Sequence, residues 1–278
     1  MPSSFIVLGA AIGYASKAMV DIHCHILPGL DDGPDSFEES VQMAEMAIAD
    51  GITHVVATPH ANSMFVFDPT AVKRLRDELQ EKVGDRLQLA TGCDFHLSFE
   101  NLQDIAGNTA KYTINQKRYL LVEFAEYAIP PSMEDTLHQL QLLGLSVVIT
   151  HPERNRLIRS HQDRLRRWLH LGCYVQVTAQ SLLGQFGENA QKEVERWMDQ
   201  EMVHFVASDA HSTTRRPLKL REAYDAVSRR HGEQMAQALL HDNPLAAFEG
   251  RPLPYEPEQP EVAAQSSRPG RRKRFIFF

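Results

Sequence analysis

The 278-residue sequence has few cysteines, few aromatic residues and no excess of basic charge. Its cysteines, Cys24, Cys93 and Cys173, are far apart, which argues against a disulfide framework or a zinc knuckle and fits a reducing cytoplasm. The formal net charge is −7, although residues 262–278 hold five basic residues and no acidic one. Because the rest of the chain is therefore more acidic still, we expect no nucleic-acid partner.

The chain also lacks an apolar run long enough to cross a bilayer as a helix. The N-terminal candidate, FIVLGAAIGYA at residues 5–15, has no basic start and is shorter than the roughly 20 residues that a spanning helix needs. It runs through Lys17 directly into the first predicted strand. We therefore expect Met19 to be the biological start and residues 1–18 to be an upstream extension.

Short apolar, β-branched runs alternate with segments of helical periodicity. Ser36 and Glu39 form a capping box before one such segment, which Gly51 ends. The predicted strands lie near residues 18–24, 54–58, 87–93, 119–124, 146–150, 173–177 and 203–207. Each is followed by a predicted helix. The sequence thus predicts one α/β domain over residues 19–250, a distorted barrel of seven β/α units.

Potential metal ligands stand where most of these strands end. They are His23, His25, Asp32, His60, Asp94, Glu123, His151, Asp209 and His211. Alternate side chains of a strand share a face, so the two histidines of DIHCH converge, as do the two ligands of SDAH. In the loop after the first strand, either Asp31 or Asp32 can reach the same rim. This set suits three divalent cations better than one.

A cluster of divalent cations generates hydroxide near neutral pH and neutralises a phosphoryl group during in-line attack, so we infer phosphate ester hydrolysis. Arg154 and Arg216 follow two of the ligand strands, and their guanidinium groups match pairs of phosphate oxygens. Arg215 is expected to be a surface residue.

A cysteine nucleophile of the conventional tyrosine phosphatase kind needs an arginine six positions later. Those positions hold Leu30, Phe99 and Ala179. We therefore expect metal-dependent hydrolysis without a covalent intermediate, in which a bridging hydroxide attacks phosphorus directly.

Roughly residues 19–250 resemble the PHP (polymerase and histidinol phosphatase) metallophosphoesterases, especially the bacterial capsule-associated tyrosine phosphatases of the CpsB/YwqE type. The strings that carry the resemblance are DIHCHILPGLDDGP, TPH, LVEF, THPERN, VQVTAQSL and ASDAH followed by RRP. The resemblance implies a PHP fold and a phosphotyrosine substrate on a bacterial tyrosine kinase that controls capsular or exopolysaccharide synthesis. Histidinol phosphate or another small phosphate ester is the alternative substrate, and a PHP scaffold that only binds is the alternative without catalysis.

The same resemblance implies a trinuclear site that is commonly loaded with Mn²⁺, with Fe, Zn or Mg as alternatives. Its implied arrangement is one ion on His23, His25 and Asp209, a second on Glu123 and His151, a third on Asp32, His60 and His211, and Asp94 as a bridge between the first two. Arg154 and Arg216 would bind the substrate phosphate. The bridging residue is more often Glu in this family, so His96, on the same strand face, is a substitute ligand if Asp94 falls short.

The composition changes at Arg251, where proline, glutamine, glutamate and serine replace the periodic pattern. We expect residues 251–278 to be a disordered, proline-rich and basic tail. Its last residues, RRKRFIFF, suit contact with a membrane surface or an acidic partner, but a solvated tail is the preferred interpretation. Any other membrane contact would come through the partner. The sequence leaves the oligomeric state open.

Overall fold

The computed structural model describes residues 18–257, which form a mixed α/β fold with parallel strands. The strands are β1 (Met19–Cys24), β2 (Ile52–Ala57), β3 (His60–Ala61), β4 (Gln88–Thr91), β5 (Asp94–His96), β6 (Tyr119–Glu123), β7 (Ser146–Thr150), β8 (Tyr174–Thr178) and β9 (Phe205–Ala207). One sheet has the order β1-β2-β4 and the other the order β3-β5-β6-β7-β8-β9. The two expected termini, residues 1–17 of the extension and residues 258–278 of the tail, lie outside the described residues.

The helices are α1 (Phe37–Asp50), α2 (Pro69–Val83), α3 (Phe99–Ile105), α4 (Thr109–Tyr112), α5 (Met133–Leu142), α6 (Arg156–Ser160), α7 (Gln162–His170), α8 (Ala179–Leu182), α9 (Glu188–Asp199), α10 (Arg221–His231), α11 (Glu233–Gln237) and α12 (Asn243–Glu249). Short 3₁₀ turns lie at Gly84–Arg86 and Ile114–Gln116, and a π-helical turn lies at Ala238–Asp242. Among residues 18–257, no helix has both the length and the apolarity that crossing a membrane requires.

Local sequence explains the start and the end of the first long helix. The Ser36 hydroxyl accepts a hydrogen bond from the Glu39 N–H, so it caps α1. Gly51 ends the same helix at φ = 90°, a left-handed conformation that glycine adopts without steric cost. The expected cap by Ser36 and the stop at Gly51 are therefore confirmed, whereas the Glu39 side chain accepts from the Thr213 N–H at 3.4 Å instead of completing a capping box.

A second, short strand follows shortly after two of the seven expected strands. Pro59, which has no N–H, separates β2 from β3, and Gly92 with Cys93 separates β4 from β5. A Cβ at position 92 would lie 3.1 Å from Val56 and 3.2 Å from Thr58, so a larger residue would crowd the neighbouring side chains. The strands expected over residues 54–58 and 87–93 correspond to β2 and β4, whereas the short strands β3 and β5 that follow them were not predicted.

The first and last strands also meet. The Asp209 N–H donates to the His23 carbonyl and the His25 N–H donates to the Ala210 carbonyl, each at 2.8 Å. A parallel bridge joins Cys24 to Ala210. The residues after β9 therefore return to the end of β1, and the C-terminal ends of the parallel strands share one rim.

An apolar layer lies beneath that rim. Leu121, Val148 and Ala207 are fully buried in one cluster. Leu121 and Val148 stand two residues before Glu123 and Thr150 on their strands, so each of these two pairs shares a face. The same cluster includes Ala246, Ala247 and Leu253 from the C-terminal part of the chain. This layer separates the polar rim from the opposite end of the barrel.

The segment after α12 packs against the barrel, which corrects the expected tail boundary. Leu253 is buried, and the Asn243 side chain pairs with both backbone groups of Tyr255 at 2.8 and 3.0 Å. The Tyr119 hydroxyl donates to the Arg251 carbonyl at 2.7 Å. The composition of residues 251–257 resembles a disordered segment, but one leucine and a few backbone hydrogen bonds are enough to order them.

Candidate metal centre

The nine predicted ligands converge at the rim formed by the C-terminal ends of the strands. They form four overlapping groups. In each group, every residue offers one ligand atom, and these atoms all lie within 4.8 Å of one another. The groups are His25–Asp32–His60–His211, His23–His25–Asp94, His23–His151–Asp209 and His60–Asp94–Glu123. Mixed imidazole and carboxylate donors at such separations suit first-row divalent cations. The rim thus has the donor set and the proximity that several ions require.

The two histidines at the C-terminal end of β1, His23 and His25, are held so that their Nε2 atoms point into the site. His23 Nδ1 lies 2.9 Å from Gln176 Oε1, and His25 Nδ1 lies 2.6 Å from Asp31 Oδ2. Their Nε2 atoms are 3.3 Å apart. Partners on Nδ1 fix the ring orientation in known metal sites. The two imidazoles are therefore oriented to share a cation or a proton.

Asp94 lies at the centre of the cluster and is fully buried. Its Oδ2 is 3.1 Å from His60 Nδ1, 3.6 Å from His23 Nε2 and 4.0 Å from His151 Nε2. Neither Asp94 Oδ2 nor His60 Nδ1 makes a hydrogen bond, although both atoms are buried. A cation between them would satisfy both. The shorter aspartate side chain thus still reaches three histidines.

Asp209 presents its two oxygens to different partners. Oδ1 lies 3.4 Å from the Nε2 atoms of both His23 and His25, whereas Oδ2 contacts Arg154 Nη1 and Arg216 Nη2. Asp209 has φ = 51° and His151 has φ = 33°. Positive φ at a non-glycine residue costs free energy and concentrates at functional sites. The strained backbone turns both side chains toward the cluster.

Arg154 and Arg216 lie beside each other although 62 positions of sequence separate them. Each guanidinium lies near the ring of Phe186, at 4.6 Å for Arg154 and 5.7 Å for Arg216. A backbone hydrogen bond of 3.0 Å from the His211 N–H to the Arg216 carbonyl closes the turn that returns Arg216 to the rim. The two guanidiniums can therefore face one tetrahedral anion together.

The charges of the cluster favour bound cations. Burial alone would lower the pKa of His23, but the Asp209 and Asp94 carboxylates raise it to about 9. Burial likewise opposes protonation of His60, yet Asp32 and Asp94 raise its pKa to about 11. Burial, and then the neighbouring Asp94, raise the pKa of Glu123 to about 7. A divalent ion would replace these protons and balance the same carboxylates.

Residues outside the predicted set complete the site. Asp31, one of the two loop aspartates that the sequence left open, supports His25, while Asp32 lies 3.4 Å from His60 and 3.3 Å from His211. Gln176 and Phe186 were not predicted. Gln176 had one signal, a polar residue within an apolar strand, whereas Phe186 lies in a loop without one. Among the described residues, His96 joins none of the four groups.

The family model described as capsular polysaccharide synthesis, CpsB/CapC, matches residues 19–249. The chain belongs to the CpsB/CapC family. Tyrosine-protein phosphatase YwqE of Bacillus subtilis (strain 168) is 33% identical over 264 residues, which cover 94% of this chain and all of YwqE. Putative tyrosine-protein phosphatase CapC of Staphylococcus aureus is 37% identical over 213 residues, which cover 74% of this chain and 82% of CapC.

A solved structure supports the same placement. It comes from work on YwqE of Bacillus subtilis and CpsB of Streptococcus pneumoniae, described as unique metal-dependent tyrosine phosphatases. The match has a TM-score of 0.79 at 32% identity and covers 88% of this chain and all of the other. The CpsB/CapC fold therefore extends over nearly the whole described part of the chain, and the family resemblance drawn from the motifs is confirmed.

Proposed function

We propose that this chain is a metal-dependent protein-tyrosine phosphatase of capsular or exopolysaccharide synthesis. The observation that carries the proposal is the pairing of Arg154 and Arg216 on Asp209, at the edge of four clusters of metal-ligating side chains. Such a pair can bind the non-reacting oxygens of a phosphate monoester. The names of the relatives supply the substrate class, phosphotyrosine in a protein, and we take that protein to be a bacterial tyrosine kinase.

The proposed metal ligands are those predicted from the sequence, namely His23, His25, Asp32, His60, Asp94, Glu123, His151, Asp209 and His211. Three divalent ions, with Mn²⁺ first and Fe, Zn or Mg as alternatives, would be held there. Membership of Asp94 in two of the four groups supports a bridging role for it. When bound, the ions would activate water and neutralise charge on the phosphoryl group.

The side chains of the protein supply the rest of the mechanism. Arg154 and Arg216 would exchange Asp209 Oδ2 for phosphate oxygens, which fixes the phosphorus relative to the ligand cluster. Phe186 lies against both guanidiniums and limits their movement. Gln176 and Asp31 keep the imidazoles at the C-terminal end of β1 directed inward.

The cysteines are unsuited to a covalent route. All three are free and buried. Burial raises the pKa of the Cys173 thiol to about 12 and holds the pKa values of Cys24 and Cys93 well above the usual range. Because the thiolate is the reactive form, these thiols are poor nucleophiles. Free, buried thiols also support the proposed cytoplasmic location.

The decisive experiment compares turnover of a phosphotyrosine peptide and of histidinol phosphate by one preparation. We expect the peptide to be preferred, exhaustive chelation to abolish activity, and Mn²⁺ to restore it. Elemental analysis should find three ions per chain, and Asp32→Asn should lower that number, whereas Asp35→Asn, an exposed change in the same loop, should not. A large preference for histidinol phosphate, or full activity after chelation, would overturn the proposal.

A further inference from the structure

A cavity of about 570 Å³ lies where α6 meets α7, a few residues after Arg154 in the sequence. Its lining includes Arg159, His161, Arg164 and Arg167. The segment that forms this wall, residues 153–170, carries six arginines and only two acidic residues, in a chain whose net charge is −7. This segment is therefore strongly basic within an acidic chain.

The cavity is connected through the backbone to Arg154, which with Arg216 forms the proposed phosphate clamp. Arg159 Nη1 donates to the carbonyl of Glu153 at 2.8 Å and to that of Arg154 at 3.3 Å. The Arg154 side chain in turn contacts Asp209 in the metal centre. One arginine of the cavity thus touches the loop that presents an arginine of the clamp.

Most of the hydrogen-bond partners of the cavity guanidiniums are neutral. The hydrogen bonds of Arg159 described above go to neutral carbonyls, and Arg164 also donates to the carbonyls of Ile129 and Pro130, at 3.2 and 3.4 Å. The Glu134 carboxylate is shared between Arg164 at 3.8 Å and Arg167 at 3.6 Å, and Asp163 is the acidic residue of the lining, so three arginines face one lining carboxylate. Carbonyl partners fix the positions of the guanidiniums without neutralising them, so the cavity is preorganised for an anion.

We propose that this arginine cavity binds an anionic group on the substrate chain, a carboxylate or a second phosphate, a few residues from the phosphotyrosine being hydrolysed. The inference rests on the proposed function and names the substrate class more closely, as acidic or multiply phosphorylated segments. An extended peptide advances about 3.3 to 3.6 Å per residue, so three to five residues span roughly 10–18 Å. One peptide of that length could place its phosphotyrosine at Arg154 and Arg216 and its anionic group in the cavity, since Arg159 contacts the loop between the two.

The test uses the full-length, Mn²⁺-loaded protein and three phosphotyrosine peptides. One has alanines on both sides of the phosphotyrosine, the second has glutamates three to five residues away on both sides, and the third has a second phosphotyrosine there. We expect kcat/KM to be roughly fivefold higher for the anionic peptides at low salt, mainly through KM, and the advantage to fade as salt is added. The second and third peptides distinguish the carboxylate from the phosphate.

Arg167→Glu changes a half-exposed cavity arginine and should remove the advantage of the anionic peptides. Turnover of the alanine peptide and of p-nitrophenyl phosphate should not change. Arg229→Glu, an exposed change of the same charge on α10, should keep the advantage, and Arg164→Gln should reduce it.

Equal kcat/KM on all three peptides, or an advantage that survives Arg167→Glu, would overturn the cavity assignment alone. Failure to hydrolyse any of the peptides would instead overturn the proposed function.

Discussion

The support that Asp31 gives to His25 leads to a quantitative prediction about metal affinity. Asp31 Oδ2 lies 2.6 Å from His25 Nδ1, and both side chains are fully buried. The same carboxylate accepts the N–H groups of Gly33 and His60, each at 3.0 Å. Burial opposes its ionisation, but His25 and these hydrogen bonds hold the pKa of Asp31 below its usual value. Asp31 is therefore a charged partner that orients His25.

Asp31→Asn keeps the shape of this side chain and removes its charge. Loss of such a supporting partner lowers metal affinity about 10- to 100-fold, or about 1.4–2.8 kcal/mol. Isothermal titration of Mn²⁺ into chelator-stripped protein measures the change, and thermal unfolding checks that the variant is folded. Because Asp31 acts through His25, excess Mn²⁺ should restore most of the activity.

The matched control is Asp35→Asn, which removes one negative charge from the same loop at an exposed position. Its Mn²⁺ affinity should stay within about twofold of wild type, since screening weakens an exposed charge. If Asp31→Asn also stays within about twofold while folded, the argument that a buried carboxylate orients His25 is refuted.

Three further predictions concern the clamp, acid stability and the core. Arg154→Lys should lower kcat/KM about a hundredfold with metal content unchanged, because an ammonium cannot replace a two-point contact; an unchanged kcat/KM would contradict the clamp. Burial lowers the pKa of His204 to about 3, so its contribution to stability is complete above pH 6.5 and is lost as pH falls toward 3. Urea unfolding should therefore show that the free energy of unfolding falls by about 2 kcal/mol less for His204→Gln than for wild type between pH 7 and pH 5. Equal decreases in the two proteins would contradict the lowered pKa of His204. Trp168 is fully buried and stacks on Phe124 at 4.7 Å, so Trp168→Ala should cost about 3–5 kcal/mol in the same assay, whereas a cost below 1 kcal/mol would show that the stack contributes little.

The sequence was sufficient to predict the general arrangement of the barrel because strand ends and ligands coincide. His23 and His25 follow a β-branched run, and parallel strands bring their C-terminal ends to one rim. The short strands β3 and β5 were missed because two or three residues are too few to show a periodic pattern. Residues 251–257 were misjudged because composition does not show that Leu253 completes an apolar layer.

The supporting residues of the site were harder to foresee than its ligands. Gln176 reaches His23 across 153 positions of sequence, and Phe186 approaches Arg154 and Arg216 from a loop. Neither contact follows from local pattern, because each depends on side-chain packing between separate β/α units. Metal ligands can be predicted from residue type and position in the sequence, whereas the residues that orient them are identified only from the three-dimensional structure.

The hydrogen bonds between the end of the first strand and the residues after β9 determine when the metal centre can form during protein synthesis. Cys24 and Ala210, which they bring together, are 186 positions apart. Contacts of such separation form late, because the loop between them must close first. His23 and Asp209 therefore become neighbours only after most of the chain has left the ribosome. For much of its synthesis, a nascent chain contains the first metal ligands but not the last ones. The complete metal centre can therefore bind its cations only after nearly the whole domain has been synthesised.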